Sequence, residues 1–164
     1  MGRLTEIGRA QVEVMYALNA EDIHDENTYI DLHVLRAGKG ISKHYSRFVE
    51  LNDSLCDDFH KRNPNATSRP TVFYSAGREA HCWSEYQFTD IYTENGHRTF
   101  YAWMPRYLER YNACYTEPAQ YQQWTLKDEH RTILGYECQL ATCHWRGRDF
   151  EAWFAADIPV PLGP

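Results

Sequence analysis

A period-two alternation recurs along this chain, segment after segment, between short clusters of turn-forming residues. It is cleanest over 136–154. Tyr136, Cys138, Leu140 and Thr142 fall on one side, and Glu137, Gln139 and Ala141 on the other. Residues two apart on a strand point the same way, so this spacing predicts a half-buried strand. Arg146-Gly147-Arg148 then turns the chain, with Gly147 free to take the positive φ of a tight hairpin. Phe150, Ala152 and Phe154 return as the inward set, opposite Glu151 and Trp153. Asp157-Ile158-Pro159 ends the ladder, because proline has no N–H to donate.

The same reading places three strands near the start. One over 11–18 has Val12, Val14, Tyr16 and Leu18 inward; one over 28–36 has Ile30, Leu32 and Val34 inward. A turn at 37–40 leads to a third strand over 41–48, less apolar and so expected nearer an edge. Short strands joined by turns make an antiparallel meander. The period then changes. Phe48, Leu51, Leu55, Cys56 and Phe59 fall at helical spacing, with acidic residues opposite, and Asn63-Pro64 stops the run. That predicts one helix over 49–62, its apolar stripe packed on the sheet.

Further strands are expected over 71–74, 85–93, 97–104 and 106–115, while 75–84 shows neither period. Asn95-Gly96 is the strongest hairpin signal in the chain. Lys127-Asp128-Glu129 reads as a polar turn before the last hairpin. The expected fold is mainly β within the α+β class: a curved antiparallel sheet or partly open β-barrel of about eight to ten strands with one packed helix.

Length and composition narrow the rest. The 164 residues suit a single β-rich domain over 1–164. A net charge of −6 argues against a nucleic-acid backbone as partner, which calls for a basic patch. No run approaches the roughly 18 apolar residues of a membrane-spanning helix. The start, MGRLTEIGRA, lacks the apolar core of a signal peptide. The five cysteines, Cys56, Cys82, Cys114, Cys138 and Cys143, are an odd number, which leaves at least one thiol outside any internal disulfide. Cys138 and Cys143 lie roughly 16 Å apart along one regular strand and face opposite ways, too far to pair with each other.

Two short runs put cysteine beside histidine, His81-Cys82 and Cys143-His144. Thiolate and imidazole together suit zinc or copper. Neighbours on a strand point to opposite faces, however, and neither run has C-x-x-C spacing, so packed thiols and surface imidazoles are the plainer account. A nucleophilic cysteine needs an electropositive, partly open setting. Cys138 sits on an apolar face and Cys56 beside Asp57, which supply the opposite. The acidic pairs Glu21-Asp22, Asp57-Asp58 and Asp128-Glu129 read as solvated faces rather than general acids and bases. No phosphate loop, nucleophile elbow or H-E-x-x-H run is present, so no cofactor is expected and no residue is given a catalytic task. The aromatic stretch over 86–115 points elsewhere. Tyr92, Tyr101, Trp103 and Tyr107 are candidates to line a concavity that holds an apolar ligand or docks a partner.

The segment over 132–164 resembles the GLPGLI family of Gram-negative bacterial envelope proteins. Members carry a stretch much like T-I-L-G-Y-x-C-Q-x-A-T, then F/W-R-G-R, A-W-F and I-P-V-x-x-G-P, here at 132–142, 145–148, 152–154 and 158–164. The matching positions include Gly135, Tyr136, Cys138, Arg146, Gly147, Arg148, Trp153, Phe154, Pro159, Gly163 and Pro164. The G-L-P-G-L-I run itself lies further on in the family, which implies a chain truncated at its C-terminal end. The resemblance implies a β-rich protein of the periplasm or cell envelope, and carries no activity from which a residue's role could be transferred. Together these readings predict a non-enzymatic envelope protein. It would bind a small apolar or peptide ligand, or another envelope protein, through its curved sheet. A thiol- or metal-dependent enzyme or metal carrier built on the Cys/His runs is the alternative.

Overall fold

A computed structural model describes residues 6–68, 89–102 and 110–158. Over these the protein is mainly β, 52% strand and 17% helix, with two antiparallel sheets of six and three strands that are not closed into a barrel. The described residues fall into two compact units, one up to Pro118 and the other from Ala119 onward.

The first unit holds β1 (Val12–Leu18), β2 (Asp31–Gly38), β3 (Ile41–Ser46), helix α1 (Arg47–Arg62), β4 (Thr89–Glu94), β5 (His97–Ala102) and β6 (Ala113–Pro118). Each strand pairs with the next in sequence, a six-stranded meander in the order β1-β2-β3-β4-β5-β6. The strand expected over 28–36 begins later, at Asp31, because Glu26–Thr28 forms a 3-10 turn capped by Asp25; residues 103–109, on which the expected strands over 97–104 and 106–115 run, lie outside the described residues. The segments 71–74 and 75–84 lie outside the described residues.

Cross-strand partners share a face, so the register sorts every side chain. Val14↔Leu35, Leu35↔His44, His44↔Ile91 and Ile91↔Phe100 run across one face. Ala17↔Leu32 lies on the other, as do Lys43↔Tyr92 and Tyr92↔Thr99. Helix α1 packs on this second face, where Phe48 joins Tyr29 and Leu32 in the main buried cluster, with Ala17 and Ala20 against it. This corrects the parity of β1. Val12 and Val14 are partly buried as expected, but Tyr16 and Leu18 are exposed, and Ala17 turns toward the helix instead.

Strand β3 is interior, not an edge. Its Ser42, His44 and Ser46 are buried, so the polar side chains that suggested solvent are inside. Ser46 is the cap of α1, its Oγ accepting from the Val49 N–H at 3.1 Å; the helix therefore begins two residues before its expected start. Asn63 ends it, its backbone N–H donating to Phe59 O at 2.8 Å. The buried line of α1 is Phe48, Asn52 and Cys56, while Leu51 is exposed. Gly38 closes the β2–β3 hairpin where the N-terminal segment crosses it. A Cβ there would lie 2.2 Å from Arg9 O, so only glycine lets that segment pass.

The second unit holds β7 (Thr125–Ile133), β8 (Tyr136–Trp145) and β9 (Arg148–Phe154) in that spatial order. Lys127, Asp128 and Glu129 are not a turn. They lie inside β7, where the register slips between Leu126 and His130, so a bulge absorbs the polar run within the ladder.

The last hairpin differs from expectation by one residue. Its loop is Arg146-Gly147, with φ of 50° and 79°, and Trp145 pairs with Arg148. A two-residue loop makes each position of β8 partner one of opposite parity in β9: Leu140↔Trp153 and Cys143↔Phe150. Trp153 therefore joins Cys138 and Leu140, with the Arg131 guanidinium 4.0 Å from its ring centroid. Phe150, Ala152 and Phe154 lie on the opposite face with Ala141 and Cys143, and Phe150 and Phe154 are exposed. Tyr136, placed on the inward side by the alternation, is exposed as well.

Candidate functional site

Of the four aromatic candidates, Tyr92 and Tyr101 lie within the described residues and meet. Their ring centroids are 5.4 Å apart, edge to face. Trp103 and Tyr107 lie outside the described residues. The meeting follows from the Asn95-Gly96 loop, which pairs Glu94 with His97 and Tyr92 with Thr99. Tyr101, two residues on from Thr99, stands on the same face and diagonal to Tyr92.

These rings line an open cavity of about 600 Å³ on the helix-bearing face of the six-stranded sheet. Strands β3, β4 and β5 contribute Ile41, Lys43, Tyr92, Glu94, Thr99 and Tyr101, and the N-terminal segment contributes Ile7. The volume falls within the range of small-molecule sites.

Lys43 sits between the cavity and the helix. Its Nζ is 3.1 Å from Asp90 Oδ2 and 3.9 Å from Glu50 Oε1, and lies 4.4 Å from the Tyr45 ring centroid. Burial pulls the ammonium's pKa down, but Asp90, with Tyr92 and Glu50, outweighs it, so the pKa is raised. Lys43 is thus a cation near neutral pH and has no free amine for attack on a carbonyl. Burial raises the Tyr92 phenol, and the neighbouring Cys114 thiol raises that of Tyr101. Both are protonated near neutral pH. At the floor of the cavity, then, Lys43 is charged and Tyr92 and Tyr101 keep their phenolic protons near neutral pH.

The remaining sequence candidates disperse. Cys143 is buried and His144 exposed, on opposite faces of β8; His144 Nδ1 contacts Asp149 Oδ1 at 2.7 Å across the hairpin. His81 and Cys82 lie outside the described residues. Among those residues no three His, Cys, Asp or Glu side chains gather as a metal would require. Cys114, Cys138 and Cys143 are free thiols, and the Cys56 thiol donates to Asn52 Oδ1 at 3.3 Å. Gly135, Arg146 and Gly147 form hairpin turns, while Pro159, Gly163 and Pro164 lie outside the described residues.

A second polar cluster escaped sequence reasoning. Asp31 is fully buried, and its Oδ1 accepts from Leu32 N and Ser46 Oγ, both at 2.7 Å. His33 Nε2 is 3.3 Å from its Oδ2, and the His33 and His44 rings meet edge to face at 5.1 Å. Burial, then His33 and Arg98, lower the His44 pKa to about 4 against the pull of Asp31. The signal was present as Ser42, His44 and Ser46 at period two. Read alone it means solvent; only the neighbouring strand's Asp31 and His33 make it an interior network.

Comparison of the chain with family models, with curated proteins and with solved structures gives no match. No helix among the described residues is long and apolar enough to cross a membrane.

Proposed function

We propose that this protein is a non-enzymatic binding protein of the bacterial envelope that takes a small apolar ligand, or an apolar peptide segment, in the cavity over β3–β5. The observation that carries the reading is the edge-to-face pair of Tyr92 and Tyr101 in a cavity of about 600 Å³, with Ile41 and Ile7 adding apolar surface. Aromatic rings and aliphatic side chains gain free energy by exchanging water for an apolar body, and a few fixed polar groups orient it. The envelope placement rests on the resemblance of 132–164 to GLPGLI proteins. The thiol or metal reading draws no support from Cys143 and His144, which face opposite ways.

Native mass spectrometry on protein drawn from its own cells tests the proposal. Added mass of a small organic molecule or short peptide is expected, and Tyr92→Ala with Tyr101→Ala is expected to release it while the fold persists. Bare protein at its own mass, together with unperturbed Tyr92 and Tyr101 ring signals on titration with apolar probes, would overturn it.

A further inference from the structure

The cavity's charges choose among apolar ligands. Its lining contains one lysine among the described residues, Lys43, and that ammonium is already matched by the Asp90 carboxylate at 3.1 Å and the Glu50 carboxylate at 3.9 Å. At the rim stands Glu94, exposed, in line with Ile41 on one side and His97 on the other. Glu94 has no ion-pair partner among the described residues. Among the described residues, Lys43 against Asp90, Glu50 and Glu94 leaves an excess of negative charge beside the cavity, which repels a carboxylate or phosphate ligand.

In its neutral form the His97 ring offers a second acceptor. Its Nδ1 is 3.1 Å from the Asn95 carbonyl oxygen. A carbonyl only accepts, so the proton of the neutral ring sits on Nδ1 and Nε2 is left with a lone pair. Glu94 and His97 are cross-strand partners on the cavity face. A carboxylate and an imidazole lone pair side by side form an acceptor pair suited to a group that brings several N–H donors and a positive charge. The aromatic floor complements the rest of such a molecule, because Tyr92 and Tyr101 present ring surface a short way below.

We propose that the cavity's ligand carries a primary ammonium on an apolar body, the ammonium between Glu94 and His97 and the body over Tyr92 and Tyr101. This rests on the reading of the cavity as a binding site and names its ligand class. One chemistry has two sources: a free amine, or the N-terminal amine of a short apolar peptide.

The test is NMR titration of ring-labelled tyrosine at neutral pH with three probes of one shape: 2-phenylethylamine, 2-phenylethanol and 3-phenylpropionate. The amine should shift the Tyr92 and Tyr101 signals and bind about tenfold tighter than the alcohol, with the carboxylate weakest. Glu94→Gln, at an exposed strand end, should bring the amine to the alcohol's affinity. An alcohol as tight as the amine, a carboxylate as tight as either, or a preference unmoved by Glu94→Gln would overturn the ammonium while leaving the cavity as a binding site. If none of the three probes reaches Tyr92 or Tyr101, the binding reading falls and this one with it. Phenylalanyl-leucine against its N-acetyl form then identifies the source. Tight binding of the free dipeptide alone supports a peptide N-terminus; binding of phenylethylamine but neither dipeptide supports a free amine.

Discussion

Each sheet carries a histidine–aspartate pair, and the two pairs behave as opposites. In the three-stranded sheet His144 and Asp149 meet at 2.7 Å with 67% and 92% of their side chains exposed. In the six-stranded sheet His33 and Asp31 are further apart, 3.3 Å, with 16% and 0% exposed. The closer pair is the weaker. Water screens it and offers each partner an equally good alternative, so its net worth is small. Asp31 has no such alternative. It has lost its hydration and depends on the Leu32 N–H and the Ser46 hydroxyl, both at Oδ1, while Oδ2 has no hydrogen-bond partner among the described residues and only His33 Nε2 nearby at 3.3 Å; through Ser46 it is tied to the first turn of α1. Surroundings, more than distance, set what a histidine–aspartate contact contributes.

Breaking both pairs measures the difference. Asp31→Ala removes the buried acceptor of the Ser46 hydroxyl and the Leu32 N–H and is expected to cost about 3 kcal/mol in denaturant unfolding. Asp149→Ala should leave the unfolding midpoint where it was. Equal effects would mean that the buried network is no more than a packing accident.

Acid sharpens the same contrast. His44, beside the buried pair, takes a proton at about 4 in the fold against an ordinary value of 6.5. Between those values the unfolded chain binds the proton and the folded chain does not, so stability falls as pH falls through that window. At about 1.4 kcal/mol per pH unit, neutral His44 contributes on the order of 3 kcal/mol at pH 7 that is gone by pH 4. Unfolding measured from pH 7 to 4 should show the slope, and His44→Gln should flatten it. An unchanged slope in that variant would assign the acid sensitivity to other groups.

The two regions also differ in how far the chain's alternation could be read. In the six-stranded sheet Leu32 and Val34 are buried as expected, though Ile30 of the same set is exposed; the helix stops at Asn63, and Asn95-Gly96 makes its hairpin. Those features are local: each depends on residues a few positions apart. The buried role of Ser42, His44 and Ser46 is not local, because it depends on Asp31 and His33 across the ladder. The candidate site was half legible for the same reason. Tyrosines at 92 and 101 suggest a lined surface. Lys43 is brought beside Tyr92 only by strand pairing, and Ile7 reaches the cavity only because Gly38 lets the N-terminal segment cross.

The last hairpin shows how a small local uncertainty becomes a large one. Arg146-Gly147-Arg148 as a three-residue loop would set Phe150 and Phe154 beside Cys138 and Leu140; Arg146-Gly147 alone sets Trp153 there. Moving the register by one residue exchanges the two faces of a strand. Side-chain truncation separates the two arrangements. Trp153 packs beside Leu140 under the Arg131 guanidinium, so Trp153→Ala should cost about 2 kcal/mol. Phe150, 39% exposed, has less to lose, and Phe150→Ala should cost about 1 kcal/mol or less. Arg131→Ala should lower the cost of Trp153→Ala, since each removes one half of the same contact. The reverse order, with Phe150→Ala the more damaging and Arg131 indifferent to Trp153, would indicate the three-residue loop and turn β9 over.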